Sequence, residues 1–532
     1  MFDYLIRNGW LVDGTGNPRY RADVAITGDR IAAIGQLAAA GARKVIDARG
    51  KIVCPGFIDA HSHTDSTILM NPTAESTIRQ GITTEIVGNC GNCRALEAPA
   101  PTPAPASTPS PALAPAPAAA EKSRFGTFLD QLAQEGTSCN LAWLAGHNSI
   151  RKAAGVTGST STAEQMAQMK DILCRALDEG ALGLSTGLEF EPGRSASTEE
   201  IIQLAKVLRR TDGIYASHIR NRDASVLAAL AEFMEIVRTC GVRGQVSHMN
   251  IRHNTGAPEG AWQSCVEMIA AARAEGLEVL ADMTPLNYGM GMLAAILPPW
   301  LRREGNANAV RILRDPQIRA QLRHDCDRYW RFIHRGEWER VYMQDNPAYP
   351  ELNGLSLPEI AARWGKDPWE CCFDILAAAG EQMDSVSLIA RLFTDEHLRE
   401  TISHPLYMLV VDGYSTRIDG PLAKLSPFPL HFMGMAYFLT HHVREKNTLS
   451  LEEAIRKMTS MPATHFRLKD RGLLRKGHFA DIVVFDFDHL TAPLNFGQPP
   501  AYVTGVEYVF VNGQAVMDNG KHTGARPGRH LV

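Results

Sequence analysis

Two histidines in the segment GFIDAHSHTDS, His61 and His63, are the first residues whose type and spacing could carry chemistry. They follow an apolar run typical of a strand, and side chains two apart along a strand lie on one face, so both imidazoles can reach the same point. Such a pair can chelate one metal ion. Two polar residues in a loop are the alternative interpretation, and a position at the end of a barrel strand favours the metal.

Four further polar side chains end short apolar runs along the chain. They are Cys90 after TTEIVGN, His218 after GIYAS, His248 after GQVS and Asp412 after PLYMLVV. A carboxylate after so apolar a segment needs a cation or strong hydrogen bonds, because burying it alone is costly. Each residue taken singly is more typical of a strand-end cap, but the six together predict one metal site.

Cys90 and Cys93 form a C-x-x-C pair, which is typical of a redox pair or of half a zinc ribbon. The sequence has no second C-x-x-C, which excludes the ribbon. The ten cysteines are scattered, and Cys371 and Cys372 are adjacent, so a secreted disulfide framework is not expected.

The strands that must position these side chains alternate with amphipathic segments over residues 59–467. This alternation predicts an α/β fold, a (β/α)8 TIM barrel. Residues 1–58 and 468–532 read as short strands with Gly and Asn-Gly turns, and they predict a small β-sandwich domain built from both chain ends.

Two segments interrupt the barrel pattern. Residues 96–120 are rich in Pro and Ala and are predicted to form a surface loop. Residues from about 290 to 365 are longer than one barrel loop requires and predict an inserted helical lid.

Composition excludes several classes of partner. The 532 residues include 54 basic and 58 acidic side chains, a net charge of -4 that does not attract nucleic acid or an anionic membrane. No apolar run approaches the ~20 residues that span a bilayer, and the first residues lack the pattern of a secretory signal. We therefore expect a cytoplasmic protein with a small-molecule substrate, and a homo-oligomer stays open.

Longer segments carry a resemblance to a known family. They are DYLIRNGWLVDGTG, PGFIDAHSHTD, RQGITTEIVGNCG, ILPPW, KDRGLLRKGHFADIVVFD and HTGARPGR. On these segments the chain resembles, nearly end to end, the N-acyl-D-amino-acid deacylase (D-aminoacylase) family of the amidohydrolase superfamily. The combination is far more specific than an isolated H-x-H.

The resemblance implies a role for each metal-type residue. One Zn²⁺ would be bound tightly by Cys90, His218 and His248. A second, weaker divalent metal would be held by His61 and His63, with the Cys90 thiolate able to bridge. In this family that cysteine replaces the carboxylated lysine that bridges metals in many relatives. Cys93 is extra to this pattern.

Asp412 corresponds to the family's catalytic aspartate and is also counted with the metal residues. Zinc lowers the pKa of a bound water to ~7 and polarises the amide carbonyl. Asp412 would take a proton during attack and return it to the departing nitrogen, because an unprotonated amide anion is a poor leaving group. The expected reaction is hydrolysis of a linear N-acyl amide.

The expected substrate-binding residues depart from the family. Where the family commonly has a lysine two residues after the second zinc histidine, this chain has Asn250, and where an arginine follows the aspartate it has Ala423. These changes predict a pocket that has lost recognition of a substrate carboxylate, unless Arg417, Lys424 or Arg252 compensates.

The segment DMTPLNYGMGM also replaces a stretch that is similar to DVYPYTAGST in the family. It predicts an apolar substrate surface formed by Met283, Leu286, Tyr288, Met290 and Met292, although methionines here could simply fill the core of the lid. The expected substrate is a bulky apolar or aromatic amide. The alternatives are an N-acyl-D-amino acid, a lactone or phosphoester, and a non-catalytic scaffold, which the complete ligand set disfavours.

Overall fold

The structure is a computed structural model that describes residues 1–37, 40–97, 122–156, 158–302, 305–325, 331–424, 428–494 and 500–532. Most of the Pro/Ala-rich segment 96–120 lies outside these ranges. The strands are β1 (Phe2–Leu11), β2 (Tyr20–Thr27), β3 (Arg30–Gly35), β4 (Ala42–Asp47), β5 (Ile52–Pro55), β6 (Phe57–Asp59), β7 (Ile82–Val87), β8 (Asn140–Gly146), β9 (Gly183–Gly187), β10 (Ile214–His218), β11 (Arg243–Val246), β12 (Val279–Met283), β13 (Tyr288–Met292), β14 (Val341–Asp345), β15 (Ser387–Arg391), β16 (Tyr407–Leu409), β17 (Ile482–Phe485), β18 (Val506–Val511), β19 (Gln514–Asp518), β20 (Lys521–His522) and β21 (His530–Leu531). The α-helices are α1 (Glu75–Arg79), α2 (Arg124–Glu135), α3 (His147–Ala153), α4 (Ala163–Asp178), α5 (Thr198–Ala205), α6 (Val226–Cys240), α7 (Ala261–Ala274), α8 (Pro299–Arg302), α9 (Asn306–Leu313), α10 (Pro316–Asp325), α11 (Leu357–Trp364), α12 (Pro368–Ala379), α13 (Asp395–Ser403), α14 (Leu430–Tyr437), α15 (Leu451–Met458) and α16 (Ser460–His465).

Eight parallel strands form a nearly closed barrel in the order β6, β7, β8, β9, β10, β11, β12, β16. The circle closes beyond the ends of β6 and β16, where Ser62 pairs with Gly413 and the Asp412 amide donates to the His61 carbonyl at 3.0 Å. Parallel strands covered on both faces must be apolar throughout, and every residue of β8 (NLAWLAG) is buried. The predicted TIM barrel is confirmed.

The helices of the barrel are amphipathic, as the sequence pattern predicts. In α4, the Thr162 hydroxyl accepts from the Gln165 amide and the Gln165 side chain accepts from the Thr162 amide, a capping box that fixes the first turn. The helix then buries Met166, Met169 and Leu173. In the described ranges, no helix combines the length and the apolar character needed to cross a bilayer.

The two chain ends form one mixed sheet of nine strands, in the order β20, β19, β18, β17, β5, β1, β2, β3, with β4 beside β1. The ends are joined by the antiparallel pair β5 and β17, in which Ile482 lies opposite Pro55. Side chains such as Val24, Val484 and Phe510 form a separate core on this sheet. A small β domain made from both ends is therefore present.

The strand pairs show at which residues the chain leaves one sheet and joins the other. β6 pairs with β7, so Phe57 already belongs to the barrel, and β21 pairs with β8 through His530 and Leu141. The chain end thus returns to the barrel after β20. The predicted boundaries at 58/59 and 467/468 stay a prediction at the level of single residues.

The segment between β12 and β16 is the large insertion. The sequence predicts a helical lid over residues 290–365, whereas the described part also contains an antiparallel sheet in the order β13, β15, β14. The insertion is thus longer and partly β. Its strands were missed because β13 reads YGMGM, which lacks the β-branched residues that indicate a strand.

Candidate functional site

Six metal-type side chains from distant parts of the sequence meet at the carboxyl ends of the barrel strands. They come from the ends of β6 (His61, His63), β7 (Cys90), β10 (His218), β11 (His248) and β16 (Asp412). Because the strands are parallel, their carboxyl ends open on one face of the barrel, where barrel enzymes carry their active sites. The six residues form overlapping groups of three, and within each group the ligand atoms lie within 4.8 Å of one another.

The first group has the geometry of one zinc site. The Cys90 Sγ lies 3.7 Å from His218 Nδ1 and 3.5 Å from His248 Nε2, and all three side chains are buried. Zinc bonds of about 2.3 Å to sulfur and 2.0 Å to nitrogen place tetrahedral ligands about 3.5 Å apart. The donor types and their separations therefore fit a zinc ion.

The second group adjoins the first through the same thiol. The Cys90 Sγ lies 3.3 Å from His61 Nε2, and His61, His63 and Cys90 form a group of three possible ligands. Asp412 Oδ1 lies 3.4 Å from His61 Nε2 and 3.3 Å from His63 Nε2. Cys90 belongs to both groups, which is the arrangement that a bridging thiolate requires.

Opposite charges in this cluster favour the ionised forms of its acids. Burial alone would raise the pKa of the Cys90 thiol, but the charge of His61 and a hydrogen bond from His218 hold it well below its usual range. Burial likewise opposes ionisation of Asp412, and His61 and His63 keep the pKa of this carboxyl low. Despite burial, Asp412 and Cys90 raise the pKa of His63 to about 10. Thiolate, carboxylate and neutral imidazole are the forms that bind metal, so a metal ion that binds His63 must displace its proton.

Three of the six residues hold a backbone conformation that is unfavourable for residues other than glycine. The φ angles are 51° at Cys90, 34° at His248 and 54° at Asp412. Each costs on the order of 1–3 kcal/mol and persists only where the surroundings enforce it. Half of the six metal-type residues therefore hold this conformation where the chain turns after a barrel strand.

Buried charged side chains contact the imidazole nitrogen of His218 that faces away from Cys90. His218 Nε2 lies 2.7 Å from Glu189 Oε2, and Arg252 contacts the two oxygens of Glu189 at 3.1 and 2.6 Å. Arg252 also donates to Asp223 at 3.0 Å. The prediction that Arg252 could hold a substrate carboxylate is therefore wrong, because its guanidinium is buried between two carboxylates of the protein.

Asp282, in β12, supports the two other histidines that flank Cys90. Its Oδ1 accepts the His248 backbone N–H at 2.6 Å and lies 3.7 Å from His61 Nδ1. Gln245 donates to the other oxygen of Asp282. These contacts orient the ligands, as carboxylates behind metal-binding histidines commonly do.

The metal-type residues open into a cavity of about 370 Å³. Tyr288 and Met290, both predicted to bind substrate, line it together with Phe190, Phe393 and Arg222. A neighbouring cavity of about 700 Å³ shares Phe190 and Met290 with the first. The insertion between β12 and β16 thus contributes directly to the cavity beside the ligands.

Three other residues predicted to bind substrate do not line this cavity. Met283 and Leu286 are 0% and 1% exposed and pack in the hydrophobic core. Because Asp282 faces the ligands, the next side chain along β12 must face the opposite side. Asn250 is also buried, and its amide donates to Thr401 at 3.5 Å.

Two further predicted residues are Met292, which is exposed, and Arg417, which is partly buried. Met292 lines only the neighbouring cavity among those described above and is 44% exposed. Arg417 donates to Asp419 at 2.8 Å and is not among the described residues that line the 370 Å³ cavity. The side chain of Lys424 lies outside the described part of the chain.

Comparison with known proteins agrees with this site. A model of the Amidohydrolase family matches residues 44–517. The chain belongs to the amidohydrolase family. It is 34% identical, over 99% of its length and 96% of the relative, to an N-acyl-D-glutamate deacylase of Alcaligenes xylosoxydans xylosoxydans. It is 31% identical to a D-aminoacylase of the same organism, covering 100% of this chain and 98% of the relative.

A solved structure extends the comparison to the fold of this amidohydrolase. The N-acyl-D-glutamate deacylase of Bordetella bronchiseptica, in a complex with zinc and a phosphonate mimic of the tetrahedral intermediate, superposes with a TM-score of 0.77. It is 31% identical in sequence, and the match covers 100% of this chain and 99% of the other. The present chain is accordingly a metal-dependent amidohydrolase that acts on linear amides.

Proposed function

We propose that this amidohydrolase removes the acyl group from N-acyl-D-amino acids. The observation that carries the proposal is the complete set of six metal-type side chains, assembled in a chain that is 34% identical over its length to an N-acyl-D-glutamate deacylase. The cavity of about 370 Å³ beside them suits a small substrate.

Asp412 is the residue proposed to move the proton. Its Oδ1 lies between His61 Nε2 and His63 Nε2, and the side chain is 28% exposed toward the cavity that it lines. Held as a carboxylate, Asp412 can accept a proton from the attacking water and deliver it to the leaving nitrogen. The charge of His61 and a hydrogen bond from His63 lower the pKa of Asp412, which favours the carboxylate that this role requires.

The histidines and the thiol are proposed to hold the metal. Cys90, His218 and His248 would bind one zinc ion, and His61 and His63 would share Cys90 for a second. When bound, zinc supplies a Lewis acid for the amide carbonyl and lowers the pKa of water. Asp282 and Glu189 keep the imidazoles in orientation.

A bulky neutral amide is the second candidate, and the apolar residues Phe190, Tyr288 and Met290 in the cavity favour it. The sequence-based preference for this candidate rested on an apparent lack of cationic groups near the metal residues. Arg222 lines the same cavity, so that premise is wrong. Together with the full-length relatives, this makes the N-acyl-D-amino acid the better-supported substrate.

The test is a substrate panel with zinc-loaded protein. We expect hydrolysis of one or more N-acetyl-D-amino acids, little hydrolysis of their L forms, and weak turnover of neutral aryl amides. Asp412→Asn should lower kcat about 10²- to 10⁴-fold while the protein stays folded. Turnover of neutral amides without any N-acetyl-D-amino acid would reject the proposal in favour of the second candidate.

A further inference from the structure

Arg222 is a cationic side chain at the metal cluster whose role the sequence did not reveal. It lies in the loop between β10 and α6, four residues after His218, and is 6% exposed. Its Nη1 donates to the backbone carbonyl of His248 at 2.8 Å. Among the described residues that line the 370 Å³ cavity, Arg222 is the one arginine or lysine.

Two other arginines near the site, Arg220 and Arg252, hold carboxylates of the protein. Arg220 donates to both oxygens of Glu232 at 2.8 and 2.9 Å and to the carbonyl of Arg194, and Arg252 lies between Glu189 and Asp223. Arg222 Nη1 donates to the backbone carbonyl of His248. Of these three guanidinium groups, Arg222 is the one that lines the cavity with Cys90 and His218.

An anion that enters this cavity needs such a group. A carboxylate transferred from water into a closed site loses its hydration, and a planar guanidinium with five N–H donors replaces that hydration well. Arg222 lies on the β10 and β11 side of the barrel mouth, and Asp412 lies on the β16 side. A substrate can therefore extend between them, with the amide near the metal residues.

We propose that Arg222 binds the α-carboxylate of the substrate and so determines specificity for N-acyl amino acids over neutral amides. This inference rests on the proposed function and deepens it. It also assigns to Arg222 the task for which the sequence offered only Arg417, Lys424 and Arg252. The competing role is structural, in which Arg222 only holds the His248 carbonyl in place.

The experiment compares two substrates that differ in one charge: the best N-acetyl-D-amino acid of the panel and its α-carboxamide. Wild type, Arg222→Met, Arg222→Lys and the surface control Arg210→Met are assayed at equal zinc content. Arg210 is exposed and pairs with Asp178, so its loss should affect neither substrate. Binding of the same two compounds to Asp412→Asn, with and without Arg222→Met, gives a readout that does not require turnover.

We expect Arg222→Met to raise the KM and the Kd for the acid about 10- to 100-fold. The binding free energy of a hydrogen bond to a charged group corresponds to about this factor. The KM and Kd for the carboxamide should change less than about twofold, because the carboxamide makes no charge-assisted contact with Arg222. Arg222→Lys should recover part of the loss by keeping the charge while losing the planar fork.

Three results would overturn the inference. Equal losses for acid and carboxamide, especially with reduced zinc content, would leave Arg222 only its structural contact with His248. A wild type that prefers the acid, with that preference retained in Arg222→Met or lost instead in Arg417→Met, would reject the anchor while the proposed function stands. A wild type that hydrolyses only the carboxamide would reject both.

Discussion

Glu189 Oε2 lies 2.7 Å from His218 Nε2, while His218 Nδ1 lies 3.7 Å from Cys90 Sγ, so the two nitrogens of one imidazole serve different partners. A carboxylate at Nε2 favours the tautomer that carries its proton there, and Nδ1 is then free to donate its lone pair to a metal. Arg252 fixes Glu189 by two contacts. The loop after β9 therefore orients a ligand that β10 carries.

Glu189→Gln is expected to weaken zinc binding about 10- to 100-fold, because the amide loses the charge that fixes the His218 tautomer. Competition with a chromophoric chelator measures the affinity directly. Glu275→Gln is the matched control, since Glu275 pairs with Arg238 on the surface. Unchanged zinc affinity in Glu189→Gln would show that His218 is oriented without this carboxylate.

The ligands could be predicted from the sequence because each ends a buried strand, and a barrel brings all carboxyl strand ends to one rim. Glu189 also follows a strand, but β9 reads GLSTG, whose small residues do not indicate a buried strand. Arg222 lies four residues beyond His218, and the path of that loop is not encoded in a periodic pattern. For Met283, the alternation of side chains along β12 could have predicted the burial, because Met283 must face away from the side that Asp282 faces.

Cys90 and Cys93 are both buried free thiols, yet only Cys90 joins the groups of possible ligands among the described residues. Burial and the charge of Asp65 raise the pKa of Cys93, which disfavours the thiolate. Cys90→Ala should therefore lose bound zinc and activity, whereas Cys93→Ala should retain both, as metal analysis after dialysis can show. Loss of zinc in Cys93→Ala, or full zinc in Cys90→Ala, would contradict the assignment.

Arg252→Met is expected to destabilise the fold as well as the site. Arg252 is 1% exposed and bonded to Glu189 and Asp223, so its removal leaves two buried carboxylates without their cation. Breaking a buried ion pair in this way costs about 3–5 kcal/mol of unfolding free energy. Urea unfolding of zinc-free protein should show the loss, and the exposed control Arg238→Met should not. Equal midpoints for the two variants would mean that water or a neighbouring cation replaces the guanidinium.

His397 makes the stability of the fold depend on pH, separately from the metal residues. Its Nε2 accepts the backbone N–H of Ile251 at 2.9 Å, which requires the unprotonated ring, and burial lowers its pKa to about 4. The carboxylate of Glu400, 3.5 Å from Nδ1, is 45% exposed and screened by water. With an unfolded pKa of about 6.5, the unfolded chain binds more protons between these values, so stability is full above pH ~6.5 and falls toward pH ~4.

His397→Gln removes this titration, and the amide oxygen of glutamine can still accept from Ile251. Linkage predicts that the wild type loses about 2 kcal/mol more unfolding free energy than the variant between pH 7 and pH 5. Urea unfolding at the two pH values, with zinc-free protein throughout, isolates the effect from metal release. His489→Gln, at an exposed histidine paired with Asp486, should keep the wild-type slope. Parallel losses in wild type and His397→Gln would show that the imidazole is already protonated, or solvated, in the folded state.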